Sequence, residues 1–252
     1  MQSTGISHEL LDYRCGRIFR TKRRVRFGDV DAAGRVRFDA IARYLQDLAI
    51  DDVHDAKIDE EVTWLVRRTA VVASSTPLRF GDEMELATWC SGVGTAWAER
   101  RSTISVGDGP PIEAVSVGIS IDPKEMKPAP TTGKFFDVYR EAAGTRKIKS
   151  KLILPRPPDS LDGARPWKLR WSDIDVMGHV NNVVSWAAVE DEAHRLVPDG
   201  EFRWVELEHN QPIERGEEPS VISQREGDQI SVWLLLGDGQ VATSARAGIA
   251  KA

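Results

Sequence analysis

Cysteine is almost missing from this chain, with two among 252 residues, Cys15 and Cys90. Two thiols are too few for the bridged framework of a small secreted domain, and they suit a reducing, cytoplasmic setting. Histidine is nearly as scarce, at five. None stands at a ligand spacing such as CxxC or HExxH, so no metal and no other cofactor is expected. Long apolar runs are also lacking. No stretch would span a bilayer, and the N-terminal MQSTGISHELLDYRCG has no apolar core of the kind that marks an export signal. Neither charge dominates: a net charge of -5 is mild, which argues against nucleic acid as the main partner. The glycines of GVG and GDG lack the strand-to-helix setting of a dinucleotide site. What remains is the composition of a soluble protein, long enough for one large domain or two modest ones.

What the chain does have is a repeat, and repeats decide the fold before any single element does. FGDVDAAGRVRF (27–38) and WSDIDVMGHVNN (171–182) share an outline. Asp29/Asp173, Asp31/Asp175, Gly34/Gly178 and Val36/Val180 fall in step at an offset of 144. Farther on, PLRFGDE (77–83) is echoed by PIERGEE (212–218) at an offset of 135. Two matched blocks in the same order indicate duplication.

Each copy then runs the same course. After the first loop, Phe38, Ile41, Leu45 and Leu48 recur at helical steps with charged residues between them. After the second, VVSWAAVE is apolar nearly all round and reads as a largely buried helix capped by Asn181 or Asn182. Strand patterns follow both helices: TWLVRRTAVVAS, MELATWCSG, TAWAERRSTISV and EAVSVGISID in the first copy, then RWVELEHN, SVISQRE, QISVWLLL and QVATSARAGIA in the second. Gly227-Asp228 and Asp238-Gly239 are placed as tight hairpin turns. Residues 123–166 hold seven prolines and one short helical pattern, KFFDVYREA, and read as a semi-rigid connection. The division expected is 1–131, a linker over 132–160, and 161–252. One long helix followed by antiparallel strands, twice over, predicts an α+β protein with a sheet curled around a central helix in each half.

These residues resemble a known family. GDVDAAG opening a helix is similar to the entrance loop of hotdog-fold acyl-thioester enzymes, the single-hotdog 4-hydroxybenzoyl-coenzyme A thioesterases among them. The duplicated order, with RVRFDAIARYLQDLA, TWLVRRTAVV and ATW in one half and DVMGHVNN in the other, resembles the fatty acyl-acyl carrier protein thioesterases of fatty acid biosynthesis. The resemblance covers the chain from about Arg24 onward. It implies a tandem (double) hotdog and hydrolysis of the thioester joining a fatty acid to acyl carrier protein or coenzyme A. The implied partner is thus acyl carrier protein with its acyl-phosphopantetheine, bound by a pseudo-dimer within one chain that could pair again as a homodimer. The family's catalytic aspartate falls on Asp175 and its histidine on His179. Its loop asparagine falls on Met177, and its Glu-Cys pair on Pro212 and Ile213, which argues against a cysteine nucleophile.

Thioester hydrolysis needs a base or nucleophile and donors for the oxyanion. Asp175 is assigned the first role and the amides of Gly178 and Val180 the second, aided by the helix dipole. His179 orients the base or bonds the substrate. Asn181 and Asn182 line the site or simply cap the helix, and Asp173 serves the loop or its own backbone. Asp31 is the rival carboxylate, with Arg35 standing where the second copy has His179. Glu208 and Asn210, on one face of a strand pattern, are candidate stand-ins for the missing carboxylate and amide. The basic run Arg14–Arg24 reads either as a dock for acidic acyl carrier protein or as a solvated arm, with Lys147, Lys149 and Lys151 as a second basic patch. Trp64, Trp89 and Trp97 read as core. A hotdog hydratase or dehydratase and a non-catalytic acyl-binding protein are the alternatives.

Overall fold

A computed structural model describes residues 15–58, 63–122, 124–125, 127–131, 133–148 and 151–251. The helical spacing after the first loop becomes α1 (Phe38–Asp55), which buries Phe38, Ile41, Leu45 and Leu48. The apolar stretch after the second becomes α3 (Asn182–Leu196), buried along Val184, Trp186, Ala188 and Val189. The first half adds β1 (Phe19–Arg24), β2 (Thr63–Val72), β3 (Glu83–Val93), β4 (Trp97–Ser105), β5 (Ile112–Asp122) and the short β6 (Lys127–Pro128). A helix α2 (Gly133–Ala143) and the short β7 (Arg165–Pro166) follow. The second half adds β8 (Gly200–His209), β9 (Ser220–Glu226), β10 (Gln229–Leu235) and β11 (Val241–Lys251). Between β9 and β10 a two-residue Gly227-Asp228 turn leaves Glu226 paired with Gln229, and Gly227 takes a positive φ of 61° as a tight turn requires.

The strands form one sheet in the order β1–β3–β4–β5–β2–β8–β11–β10–β9–β7, with β6 attached to β5. Its centre is the antiparallel seam of β2 and β8, in register from Arg68↔Glu208 to Val72↔Trp204. Strand alternation sends Val71, Val205 and Leu207 to the inner face, where they join residues of α1 and α3 in one apolar core. Each copy is thus a sheet curled around its helix, and the two copies share a sheet and a core. This is the duplicated architecture that the repeat predicts and the tandem hotdog that the resemblance implies. Leu48 is fully buried within the core; burying a side chain of that kind stabilises by about 1.5–3 kcal/mol.

Two segments gain definition. The basic run that was read as a dock or a solvated arm contains the edge strand β1 from Phe19 onward, paired with β3 from Phe19↔Thr88 to Arg24↔Glu83 (Arg14 lies outside the described residues). Its cations are largely answered within the fold: Lys22 meets Glu85 at 2.9 Å, Arg23 meets Asp47 at 2.8 Å and Asp51 at 2.6 Å, and Arg24 faces Glu83 at 3.8 Å. Long cationic side chains suit an exposed edge, since they discourage further strand pairing. The connection between the halves, in turn, is laid against the sheet. The buried face of α2 (Phe135, Tyr139, Ala143) packs beside β3, Trp64 packs on Phe135 with the rings tilted and centroids 5.0 Å apart, and Tyr139 donates to Asp52 Oδ2 at 2.8 Å. Farther along, Trp233 Nε1 donates to the Pro155 carbonyl at 2.9 Å.

Candidate active site

The repeated loops share a set of four backbone hydrogen bonds. In the second, the Asp175 amide donates to His179 O (2.9 Å), Gly178 to Asp175 O (3.0 Å), Val180 to Ile213 O (2.9 Å) and Asn181 to Asp173 O (2.8 Å). In the first, Asp31 donates to Arg35 O (2.7 Å), Gly34 to Asp31 O (3.0 Å), Val36 to Leu78 O (2.9 Å) and Arg37 to Asp29 O (3.0 Å). Each is a small hairpin that closes on a glycine at positive φ, 75° for Gly34 and 85° for Gly178, a conformation that glycine adopts without a Cβ penalty. Asp29 and Asp173 brace them in the same way, each accepting the amide three residues before it. Asp173 is buried and also takes the Arg170 guanidinium. It serves the loop's own backbone.

The aspartates at the hairpin mouths differ. Asp31 Oδ1 accepts the Ala33 and Arg35 amides at 2.8 and 2.9 Å, and Oδ2 takes Arg35 Nε at 3.0 Å. Burial alone would raise the Asp31 carboxyl, but the Arg35 amide and guanidinium outweigh it and hold the group below the usual aspartate range. Asp175 accepts only the Met177 amide, at 2.9 Å through Oδ1; Oδ2 has no partner among the described residues. Arg35 is therefore where the two copies differ: its guanidinium binds the Asp31 carboxylate, whereas His179 leaves that of Asp175 uncovered.

His179 pairs instead with a residue from the second repeated block. Its Nε2 lies 3.4 Å from Glu214 Oε2, an ion pair when the ring is protonated, and the two backbones form an isolated antiparallel bridge. Glu214 stands two positions beyond Pro212, where the resemblance expected a carboxylate. It was legible as part of PIERGEE, but not as a neighbour of His179. Ile213, in the place of the expected thiol, is buried and spends its carbonyl on Val180. Met177 and Val176 stand at the exposed tip of the loop, as does Trp171 at its start.

The oxyanion donors expected from the sequence need correcting. The amides of Gly178 and Val180 are both consumed in closing the hairpin and pinning it to Ile213. Asn181 caps α3, its Oδ1 accepting the Val183 amide at 3.0 Å. Asn182 is the exposed first residue of the helix, and its amide has no acceptor among the described residues. The matching amide in the first half, that of Phe38, is covered by the Glu190 carboxylate of α3, with both oxygens at 3.1 Å. Burial raises Glu190 to about 7, the Phe38 amide counteracts this in part, and the neighbouring Asp39 adds to it. An ionisable group reaching from one half to the helix start of the other was not legible in VVSWAAVE.

The strand candidates lie elsewhere. Glu208 is almost fully buried on the outer face, paired with Arg68 at 2.8 Å, and accepts the Ile153 and Leu154 amides at 2.7 and 3.0 Å. It is neither a site residue nor an exposed carboxylate: it fastens the connecting segment to the sheet. Asn210 donates to Ser244 Oγ at 3.3 Å. Burial pushes the Cys90 thiol up to about 11, which leaves it unreactive. Among the described residues no group of three or more His, Cys, Asp or Glu is disposed to hold a metal.

Comparison with known proteins gives concordant results. The family model described as the acyl-ACP thioesterase N-terminal domain matches residues 16–139, and that of the C-terminal domain matches 159–247. An uncharacterized protein of Mycobacterium tuberculosis is 26% identical over 226 residues, covering 88% of this chain and 89% of its own length. In structure, the fold is similar to an acyl-ACP thioesterase from Bacteroides thetaiotaomicron (TM-score 0.78, 19% identity, 92% of this chain and 98% of that one). It is also similar to the 12:0-ACP thioesterase from Umbellularia californica (TM-score 0.79, 18% identity, 93% and 98%).

Proposed function

The chain belongs to the acyl-ACP thioesterase family and is a thioester hydrolase, and from that premise we propose that it frees a fatty acid from acyl carrier protein at the Asp175–His179 loop, with the Asp31 loop silent. The observation that carries this reading is the contrast between two otherwise matching hairpins. Both oxygens of Asp31 are taken by two amides and a guanidinium, whereas Asp175 keeps Oδ2 open.

A base at Asp175 takes a proton from water as the water oxygen attacks the thioester carbon. The carbonyl electron pair moves onto oxygen, then returns as the carbon–sulfur bond breaks. The thiolate recovers the proton, so thioester and water give carboxylic acid and thiol. His179, steadied by Glu214, stands on the same hairpin as a donor to the departing sulfur. With Ile213 in the place of a thiol and Met177 in that of an amide, the direct attack of water is favoured over an acyl-cysteine route. Asn181 and Asn182 contribute the helix start whose dipole faces the developing charge.

The test is release of free thiol from acyl-acyl carrier protein and acyl-coenzyme A over a series of chain lengths. The expected result is faster turnover of the carrier-protein substrates, and a loss of roughly 10²–10⁴-fold in kcat for Asp175→Asn with Asp31→Asn close to wild type. Near-normal turnover of Asp175→Asn would overturn the assignment.

A further inference from the structure

With the amides of Gly178 and Val180 committed to the hairpin, the site needs another group to hold the oxygen that becomes negative. A candidate is supplied from the first half. In β2 the register against β5 slips between Val66↔Gly118 and Arg68↔Val117, so Arg67 is an extra residue at a bulge. Bulges re-aim side chains, and they are common beside active sites. Arg68 goes to the outer face and meets Glu208. Arg67 instead donates through Nη1 to the carbonyl of Asn210, at 3.0 Å.

Three features make Arg67 unusual. Among the described residues its one hydrogen-bond partner is that carbonyl, although the side chain is half-buried. Burial pulls its pKa down, and Glu208 restores it only in part; Glu208 is itself held by Arg68 and two amides. Beside it, His209 is buried, and burial followed by the charge of Arg67 lowers its pKa to about 4, so the ring is neutral at pH 7 and does not repel an anion or answer the guanidinium. A guanidinium with five donors and one carbonyl acceptor is equipped for an oxyanion.

Its place fits the same purpose. Asn210 opens the segment in which, three and four residues later, Ile213 accepts the Val180 amide and Glu214 meets His179. Opposite His209 in β11 stands Thr243, whose hydroxyl is 3.1 Å from that of Ser185 in the first turns of α3. Two polar contacts, Arg67 with Asn210 and Thr243 with Ser185, thus lie between the bulge of β2 and the first turns of α3.

Resting on the reading of Asp175 as base, we propose that Arg67 binds the acyl carbonyl oxygen of the thioester and stabilises its negative charge when water adds to the carbon. The carbonyl is neutral in the bound substrate and charged in the tetrahedral intermediate, so Arg67 acts mainly on kcat. Once the C–S bond has broken and the acid has ionised, the product carboxylate faces the same guanidinium, so free fatty acid competes with substrate.

The experiment compares Arg67→Met and Arg67→Lys with wild type in the full chain, using one acyl-coenzyme A substrate, thiol detection and added fatty acid as inhibitor. Far-UV circular dichroism and melting establish that each variant is folded. Expected is a fall in kcat of roughly 10²–10³-fold for Arg67→Met with KM little changed, partial recovery in Arg67→Lys, and loss of inhibition by fatty acid in Arg67→Met. Should Arg67→Met fail to fold, Arg67→Lys and the binding of fatty acid to wild type against the matching alcohol decide; equal binding of acid and alcohol refutes the proposal. A folded Arg67→Met with unchanged kcat and unchanged inhibition also refutes it. If Asp175→Asn is inactive in that case, the site reading stands and Arg67 alone falls; if Asp175→Asn is active, the site reading itself has failed.

Discussion

Replacing Glu190 by glutamine tests the junction between the halves. In the native protein this carboxyl sits between α3 and the start of α1, accepts the Phe38 amide, and has Asp39 and Arg37 as its charged neighbours. Burial moves it from an ordinary 4.5 to about 7. A carboxyl raised on folding favours the native state at acidic pH, and that benefit drains away as pH rises through the folded value. The distance from 4.5 to about 7 corresponds to about 3 kcal/mol at most, taking about 1.36 kcal/mol for each tenfold change. For a chain of this size that is a shift in Tm of roughly 6–12 °C. Glutamine keeps an oxygen for the Phe38 amide but does not titrate. Thermal melts of wild type and Glu190→Gln every half unit between pH 5 and 8.5 should therefore diverge: similar at the acid end, with the variant more stable above neutrality. Parallel curves, or a variant that is less stable at pH 8.5, would refute the reasoning, because the carboxyl would then not be ionising at a cost inside the fold.

Other consequences are simpler to read. Glu208→Ala removes the carboxylate that meets the buried Arg68 and frees the Ile153 and Leu154 amides; urea unfolding should show a loss of about 3–5 kcal/mol, and limited proteolysis should cut the connecting segment faster. Asn181→Ala removes the cap of α3 and should cost about 1 kcal/mol by the same measurement. Asp31, held below its usual range, stabilises the fold at neutral pH and ceases to do so as it becomes protonated in acid. Asp31→Asn should accordingly lower Tm at pH 7 and match wild type near the acid limit. Leu48→Ala opens a cavity in the shared core and should cost about 2–5 kcal/mol in equilibrium unfolding.

The parts that were legible in the sequence are those written in local spacing. Helix periodicity found α1, alternation found most of the strands, and the double occurrence of the Asp-Gly loop gave the tandem architecture. β1 was missed because FRTKRR alternates cation with cation and carries little of the apolar signal that marks a strand. Glu208 was misread because strand alternation separates two faces but does not say what covers each; here the outer face is covered by the chain's own connecting segment. Gly178 was read for its amide alone, yet the hairpin it closes uses the very amides that were assigned to substrate. Glu214, Glu190 and Arg67 owe their interest to partners far away in sequence, His179, Phe38 and Asn210. Such pairings are set by tertiary packing, so no local pattern announces them.

The seam of β2 against β8 has a consequence for symmetry. Two identical chains joined along such a seam would carry every substitution twice, so an arginine placed over the loop aspartate would shut both mouths together. Here one covalent chain supplies both sides of the seam, and the two mouths are chemically independent. Arg35 can lock Asp31 while His179 leaves Asp175 open, and a residue of the first half, Arg67, can be committed to the second half without a mirror image of itself.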